Sequence, residues 1–416
     1  MNVKGPLLIV VDQGVNSISN FAIVAIAARS TSVRQFGIFA LSQACVLLLL
    51  SCIQAGSADS FLRESDGTKR SRLQDQGVGS IVAVFGAGAL ISTAATLSGV
   101  PAVNALAGSA VCCSLIAGID FARNNLIADG RVLSALLMDL LYAASQLTLF
   151  ILLVWHHASD VRAIWWVWSV SAVPALLAFW PARLLRLRRW RLSASSFRFR
   201  YALETFLASG SSQIAQFLVT PVLGIAFSAR FRAGTLLMGP LTVFLTGGRV
   251  LVLTLYKTRV GIARYRMMVR LCVVSCVVTV AWGVCVLLMP VSGVRLALGA
   301  NGIDGRQLVP PLIAAFLAQA VFLCIYYYAR SVEADHATTQ GRVATAAVLV
   351  VVVISTQFSR SASWFVLGTA ASVVLACVVM VVALRRGHGG ELTSEDDAIG
   401  PENASSQSRG RHRRSP

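Results

Sequence analysis

The sequence predicts an all-α polytopic membrane protein of about twelve transmembrane helices, arranged as two pseudo-symmetric six-helix lobes. Three observations carry that prediction: the composition, the alternation of apolar blocks with basic loops, and an internal repeat. Of the 416 residues, 56% are hydrophobic and only 13% are charged, and the mean hydropathy is +0.71. Soluble domains carry about a quarter charged residues. The apolar residues arrive in blocks long enough to cross a bilayer, which takes about 20 residues at a rise of 1.5 Å each.

Twelve such blocks run over residues 7–28, 36–58, 78–98, 101–119, 132–154, 163–180, 201–226, 233–256, 268–290, 307–329, 343–357 and 362–384. The eleventh is the shortest. The first begins six residues in and has no small-residue cleavage site soon after it, so it reads as a retained span and not as a signal peptide. The even-numbered loops, together with Lys4 and the arginines at and beyond the end of the last span, hold 27 of the 36 basic residues; the odd-numbered loops hold 8, and Arg249 falls within a span. Lys and Arg concentrate in cytoplasmic loops. Both termini are therefore expected on the cytoplasmic side of a plasma or inner membrane. One missed or invented span would scramble the asymmetry from that point on.

This pattern divides the chain into an N-terminal lobe over residues 1–190, which includes the start of a basic cytoplasmic linker, and a C-terminal lobe over 191–384. A tail over 385–416 turns abruptly to Gly, Ser, Asp, Glu and Arg. Its composition predicts disorder, and its basic end suits contact with anionic lipid.

The same inventory excludes several function classes. The net charge of +18 comes largely from arginines that fall between spans, so it reports topology and not a nucleic-acid partner. All nine cysteines lie in apolar runs and read as small packing residues. The five histidines show no metal-ligand spacing. The three lysines, Lys4, Lys69 and Lys257, do not follow a glycine as a phosphate-binding loop requires. The odd loops are short, the longest covering about 291–306. A membrane glycosyltransferase or polymerase needs a longer one to hold acceptor and carboxylates. The expectation is a non-enzyme with no cofactor, no metal and no catalytic group.

The repeat lays Gly14–Arg34 on Gly210–Arg230 at a constant offset of 196, with five identities in 21 positions. Polar residues coincide as well: Gln13, Asn16, Ser17 and Asn20 fall on Ser209, Ser212, Gln213 and Gln216. Each set has the spacing i, i+3, i+4, i+7 of one helical face. A polar stripe on an apolar span faces protein or a wet cavity, not lipid. The alternatives are a cavity lining and hydrogen bonds to neighbouring helices. Duplicated halves around a central site are a recurring transporter design.

The stretch from Asp12 to Phe21, with Ala28-Arg29 and Phe36-Gly37-Ile38-Phe39-Ala40, resembles the first two helices of the polysaccharide (O-antigen-type, Wzx-like) flippases. These belong to the multidrug/oligosaccharidyl-lipid/polysaccharide exporter (MOP) superfamily. Asp120-Phe121-Ala122-Arg123, Asp129-Gly130-Arg131, Asp139-Leu140-Leu141 and Ala233 through Leu241 extend the resemblance across both lobes. It implies a V-shaped pair of bundles that moves a polyprenyl-pyrophosphate-linked oligosaccharide from the inner to the outer leaflet by alternating access. The implied partners are that lipid-linked glycan, the bilayer, and polysaccharide assembly proteins. Ion-coupled export of a small molecule is the alternative within the superfamily. A lipid-linked peptidoglycan precursor is another cargo, although it usually comes with additional helices.

A pyrophosphate headgroup requires cations, and its sugars require amides or hydroxyls, inside a cavity that excludes lipid. The substrate-binding candidates are therefore Gln13, Asn16, Asn20, Arg29, Arg34, Arg123, Gln213, Gln216, Arg230 and Arg249. Arg29, Arg34 and Arg230 have snorkelling to outer headgroups as their alternative. Arg249 lies about 12 Å deep at helical rise, and Arg123 is placed in a short even-numbered loop. Asp12 and Asp139 are the candidate coupling carboxylates. Asp12 sits near a helix N-terminus, where the dipole favours negative charge, whereas Asp139 lies about two turns into span five.

Overall fold

A computed structural model describes residues 4–57, 67–98, 101–155, 160–179, 206, 211–247, 261–332 and 334–388. Arg249, the basic linker and the tail beyond His388 lie outside these residues. The described residues form helices with no strand. In the N-terminal lobe these are α1 (Lys4–Ser30), α2 (Val33–Ser57), α3 (Gly67–Leu97), α4 (Pro101–Ala128), α5 (Val132–Trp155) and α6 (Val161–Phe179). The C-terminal lobe contains α7 (Ser211–Leu223), α8 (Ile225–Leu237), α9 (Gly239–Gly247), α10 (Gly261–Leu288), α11 (Val291–Arg306), α12 (Val309–Ser331), α13 (Asp335–Ser359) and α14 (Ala362–His388).

Nine of the described helices are long and apolar enough to cross a membrane, and α1 and α7 contribute shorter apolar stretches. The eighth crossing is α8 followed by α9, bent at Met238, where Pro240 cannot donate to the preceding turn. Twelve crossings in two six-helix lobes result, as the apolar blocks predict. The crossings alternate in direction, so one end of the molecule gathers the odd-numbered connections and the other gathers the even-numbered ones with the termini.

Two predicted boundaries move. The turn between spans seven and eight is at Gly224, not over 227–232. Gly224 has φ 82° and ψ 161°, a backbone region open essentially to glycine alone. Eight residues of straight helix would separate Thr220 from Ser228 by about 12 Å, yet their hydroxyl oxygens are 2.9 Å apart. The chain therefore doubles back at a single residue inside a continuous apolar run, where a hydropathy window shows no break. Arg230 and Arg232 consequently lie in α8 and not in a loop. Arg123 likewise lies in a helix and not in a loop, because α4 runs on to Ala128. Its polar last turns find hydrogen-bond partners inside the protein, Asn125 Nδ2 donating to the Phe121 carbonyl at 2.8 Å.

The repeat is real in topology but shifted in register. α2 begins at Val33 and α8 at Ile225, 192 residues apart, against an offset of 196 in the sequence alignment. Four residues are close to one helical turn, so an alignment slipped by that amount keeps almost the same face.

Small residues set the helix spacings. Gly88 of α3 packs on Ser114 of α4, whose hydroxyl donates back to the Val84 carbonyl at 3.1 Å. Gly108 of α4 lies against Trp165 of α6, whereas Gly86 faces open space. The N-terminal lobe is filled by Phe39, Trp165 and Trp168, with the two indoles stacked at 5.3 Å. Their polar edges are satisfied: Trp165 Nε1 donates to Ser42 Oγ at 3.0 Å and Trp168 Nε1 to the Tyr142 hydroxyl at 2.9 Å. In the C-terminal lobe, Phe227, Phe231 and Phe365 form the corresponding aromatic cluster. The lobes meet chiefly at the odd-loop end, where Gly37 of α2 lies against Ile225 of α8.

Candidate functional site

Below that contact the lobes part around a cavity of about 340 Å³. Its N-lobe wall comes from α1 (Ser17, Asn20), α2 (Gln43, Ser51, Gln54), α4 (Asp120), α5 (Tyr142) and α6 (Trp168). The C-lobe wall comes from α8 and α9, with Arg232, Thr235 and Thr242. Arg232 is eight residues past Gly224, roughly 12 Å below the odd-loop end at helical rise. Gln54 is three residues from the other end of α2. Among the described residues the lobes are in contact at the odd-loop end, and the cavity lining runs from mid-depth towards the even-loop end.

Two charged systems line this space, and they differ in how they are held. On the C-lobe wall, Arg232 Nε donates to Gln43 Oε1 at 2.8 Å, a bond that crosses from one lobe to the other. Among the described residues no carboxylate pairs with Arg232. An uncharged amide orients the guanidinium without neutralising it, so its positive potential is available to an anion. On the N-lobe wall, Asp120 accepts from Gln54 Nε2 and pairs with Arg123 at 3.8 Å. Arg123 also bonds Asp139 of α5 at 3.4 Å. Asp139 is only 2% exposed, behind the wall. Two carboxylates therefore share one guanidinium, tying α4 to α5 about 10 Å inside the even-loop end.

Of the sequence candidates, Asn20 lines the cavity, and Arg123 and Asp139 are brought together directly behind it. Asp12, Gln13 and Asn16 lie on α1, and their side chains fall outside the described residues. Gln216 is buried, 5% exposed, and neither it nor Gln213 lines the cavity. Their helix packs on α13 and α2, and the early turn at Gly224 gives the C-lobe wall to α8 instead. Arg29, Arg34 and Arg230 gather at the closed end: Arg34 is exposed, Arg29 donates to the Leu296 carbonyl at 3.0 Å, and Arg230 pairs with Asp304 at 3.8 Å.

The residues missed were Arg232, Gln43, Gln54 and the cavity position of Asp120. Gln43, Ser51 and Gln54 recur eight and three residues apart on α2, one helical face. That stripe was legible, and it lies in span two as well as in span one. Arg232 was hidden by the displaced turn.

The fold is that of a two-lobed, twelve-crossing membrane protein. The sequence matches no family model and no curated protein, but solved structures share the fold. The chain is similar to the lipid II flippase MurJ in an inward closed conformation, with a TM-score of 0.70 at 10% identity over 91% of this chain and 87% of that one. It is also similar to a multidrug resistance MATE family transporter of the MOP superfamily. The inward-facing conformation gives a TM-score of 0.67 at 14% identity, covering 92% of this chain and 96% of that one. The outward-facing one gives 0.61 at 14% identity, covering 92% and 94%.

Proposed function

We propose that this protein is a flippase that moves a polyprenyl-pyrophosphate-linked oligosaccharide from the inner to the outer leaflet by alternating access, for cell-surface polysaccharide synthesis. The observation that carries this reading is Arg232, a guanidinium on the cavity wall held by an amide. A diphosphate is the natural partner for such a group, because planar donors engage phosphate oxygens in pairs. Around it, Asn20, Gln43, Gln54, Thr235 and Thr242 offer amides and hydroxyls suited to sugar hydroxyls. The aromatic pair Trp168 and Tyr142 closes the inner wall. The likeness to transporters of the MOP superfamily supports the same reading, as does the excess of basic residues at the even-loop end, which supports a cytoplasmic side for that end and both termini. The cavity then faces the leaflet on which lipid-linked sugars are assembled. Arg123 and Asp139 act as a structural pair or as the coupling site, and no chemistry on the cargo is involved.

Export of a cationic small molecule is the second reading, and Asp120 favours it, since it places a carboxylate on the same cavity. Its commitment to Arg123 and Gln54 weighs against it. A deletion strain separates the two. The flippase reading expects lipid-linked oligosaccharide of normal structure to accumulate while surface polysaccharide is lost. Unchanged lipid-linked pools and surface glycan, with altered sensitivity to cationic drugs, would establish the exporter.

A further inference from the structure

We infer that α11 is a clasp that holds the two lobes shut at the odd-loop end, and that Asn301 is the contact on which its release depends. This rests on the alternating-access reading above, in which that end must open to discharge cargo.

Among the described residues α11 has no counterpart in the other lobe. Spans three and four are joined across the short interval from Leu97 to Pro101, whereas the equivalent connection between spans nine and ten contains a helix of 16 residues. The extra helix is fastened to its own lobe three times. The Arg306 guanidinium donates to the Leu287 carbonyl of α10. Asp304 pairs with Arg230 of α8 at 3.8 Å. Gly305 lies so close to the backbone of Ala233 and Gly234 that a methyl group would not fit.

From that anchorage it reaches into the N-terminal lobe. The last carbonyls of a helix have no partner within it, and at the end of α1 they are supplied from the other lobe. Asn301 Nδ2 donates to the Ala28 carbonyl at 2.7 Å and to the Thr31 carbonyl at 3.2 Å. Arg29 returns a bond to the Leu296 carbonyl at 3.0 Å. Between the two, Gly299 has φ 63° and ψ −152°, a break in α11 that lets the helix bend around the end of α1. A methyl group there would press on the Arg29 backbone at 3.2 Å.

Asn301 has the properties of a releasable contact. It is 3% exposed, so its donors have no competing water. Its Oδ1 is buried without a hydrogen-bond partner, a cost that is relieved when the lobes separate. The clasp therefore holds the closed state without making it permanent. It acts on one end and one side of the pseudo-twofold, so the outer closure is stiffer than symmetry alone would give.

The test is hydrogen–deuterium exchange on the full chain in lipid nanodiscs, comparing wild type with Asn301→Leu and Arg29→Ala. Loss of both Asn301 bonds is expected to raise exchange about tenfold in α11 and the α1–α2 turn. It should also do so in the first turns of α2 and α8, to which Asn301 donates no hydrogen bond. Exchange in α6 should stay unchanged, reporting an intact N-terminal lobe. Arg29→Ala removes one exposed bond and gives a smaller rise in the same segments. If only α11 responds, Asn301 is a local brace and the clasp is overturned. No response in any segment overturns it equally. If Asn301→Leu disturbs α6 as well, the Arg29→Ala pattern decides alone. The readout needs no cargo, so it is independent of whether the flippase reading survives.

Discussion

The two walls of the cavity carry opposite charges in different states of commitment. On the N-lobe wall, Asp120 and Asp139 are bound to a common arginine, and Gln54 takes a further oxygen of Asp120. On the C-lobe wall, Arg232 is bound to an amide. A charge paired across two helices serves their packing. A charge held by an uncharged donor or acceptor keeps its field for a ligand. The sign of a cavity is therefore set less by which ionisable residues line it than by which of them are already matched. By that measure the uncommitted charge on this cavity is the positive one, Arg232.

The largest expected effect comes from breaking the committed wall. Arg123→Ala removes the guanidinium that pairs with the buried Asp139, and breaking a buried pair in this way is expected to cost about 3–5 kcal/mol. A thermal-shift assay in detergent should show a large fall in Tm, partly rescued by Asp139→Asn in the same chain. An unchanged Tm would mean that the pair is not what joins α4 to α5.

The turn that delivers Arg232 to the other wall comes next. A methyl group at Gly224 would meet nothing within 4 Å, so the penalty for Gly224→Ala is conformational, about 1–3 kcal/mol. Its Tm should fall less than that of Arg123→Ala. A neutral result would show that the turn tolerates a side chain and that Arg232 is not positioned by it. Gln43→Ala is the smallest perturbation. It frees the guanidinium of one bond, worth about 0.5–1.5 kcal/mol, and should weaken cargo affinity several-fold while leaving Tm almost unmoved.

Much of this architecture was legible from hydropathy and charge. The twelve apolar blocks correspond to the twelve crossings, because a bilayer demands both length and apolarity of each. What escaped was local and polar. A one-residue reversal at Gly224 leaves no hydrophilic gap, so Arg230 and Arg232 were assigned to a loop. The polar end of α4 likewise reads as loop in a hydropathy window, because Asp120, Arg123 and Asn125 find partners inside the protein and not in water. The pairing of Arg123 with Asp139 depends on α4 and α5 lying side by side with those two positions level, which span counting does not supply. The amide stripe on α1 pointed towards the cavity through Asn20. Its counterpart on α7 does not, because α7 packs on α13 and α2 and the C-lobe wall is formed by α8 and α9.

The most direct test of the cavity's sign is flipping by the purified protein in proteoliposomes, using a fluorescent polyprenyl-pyrophosphate-linked sugar and comparing Arg232→Ala with Asp120→Asn. A charged hydrogen bond contributes about 1.5–3 kcal/mol, roughly 10–100-fold. Arg232→Ala should therefore lose that much apparent affinity at unchanged Tm, with Asp120→Asn affected far less. Full transport by Arg232→Ala together with loss in Asp120→Asn would contradict an anion-selecting cavity and would place the working charge on the opposite wall.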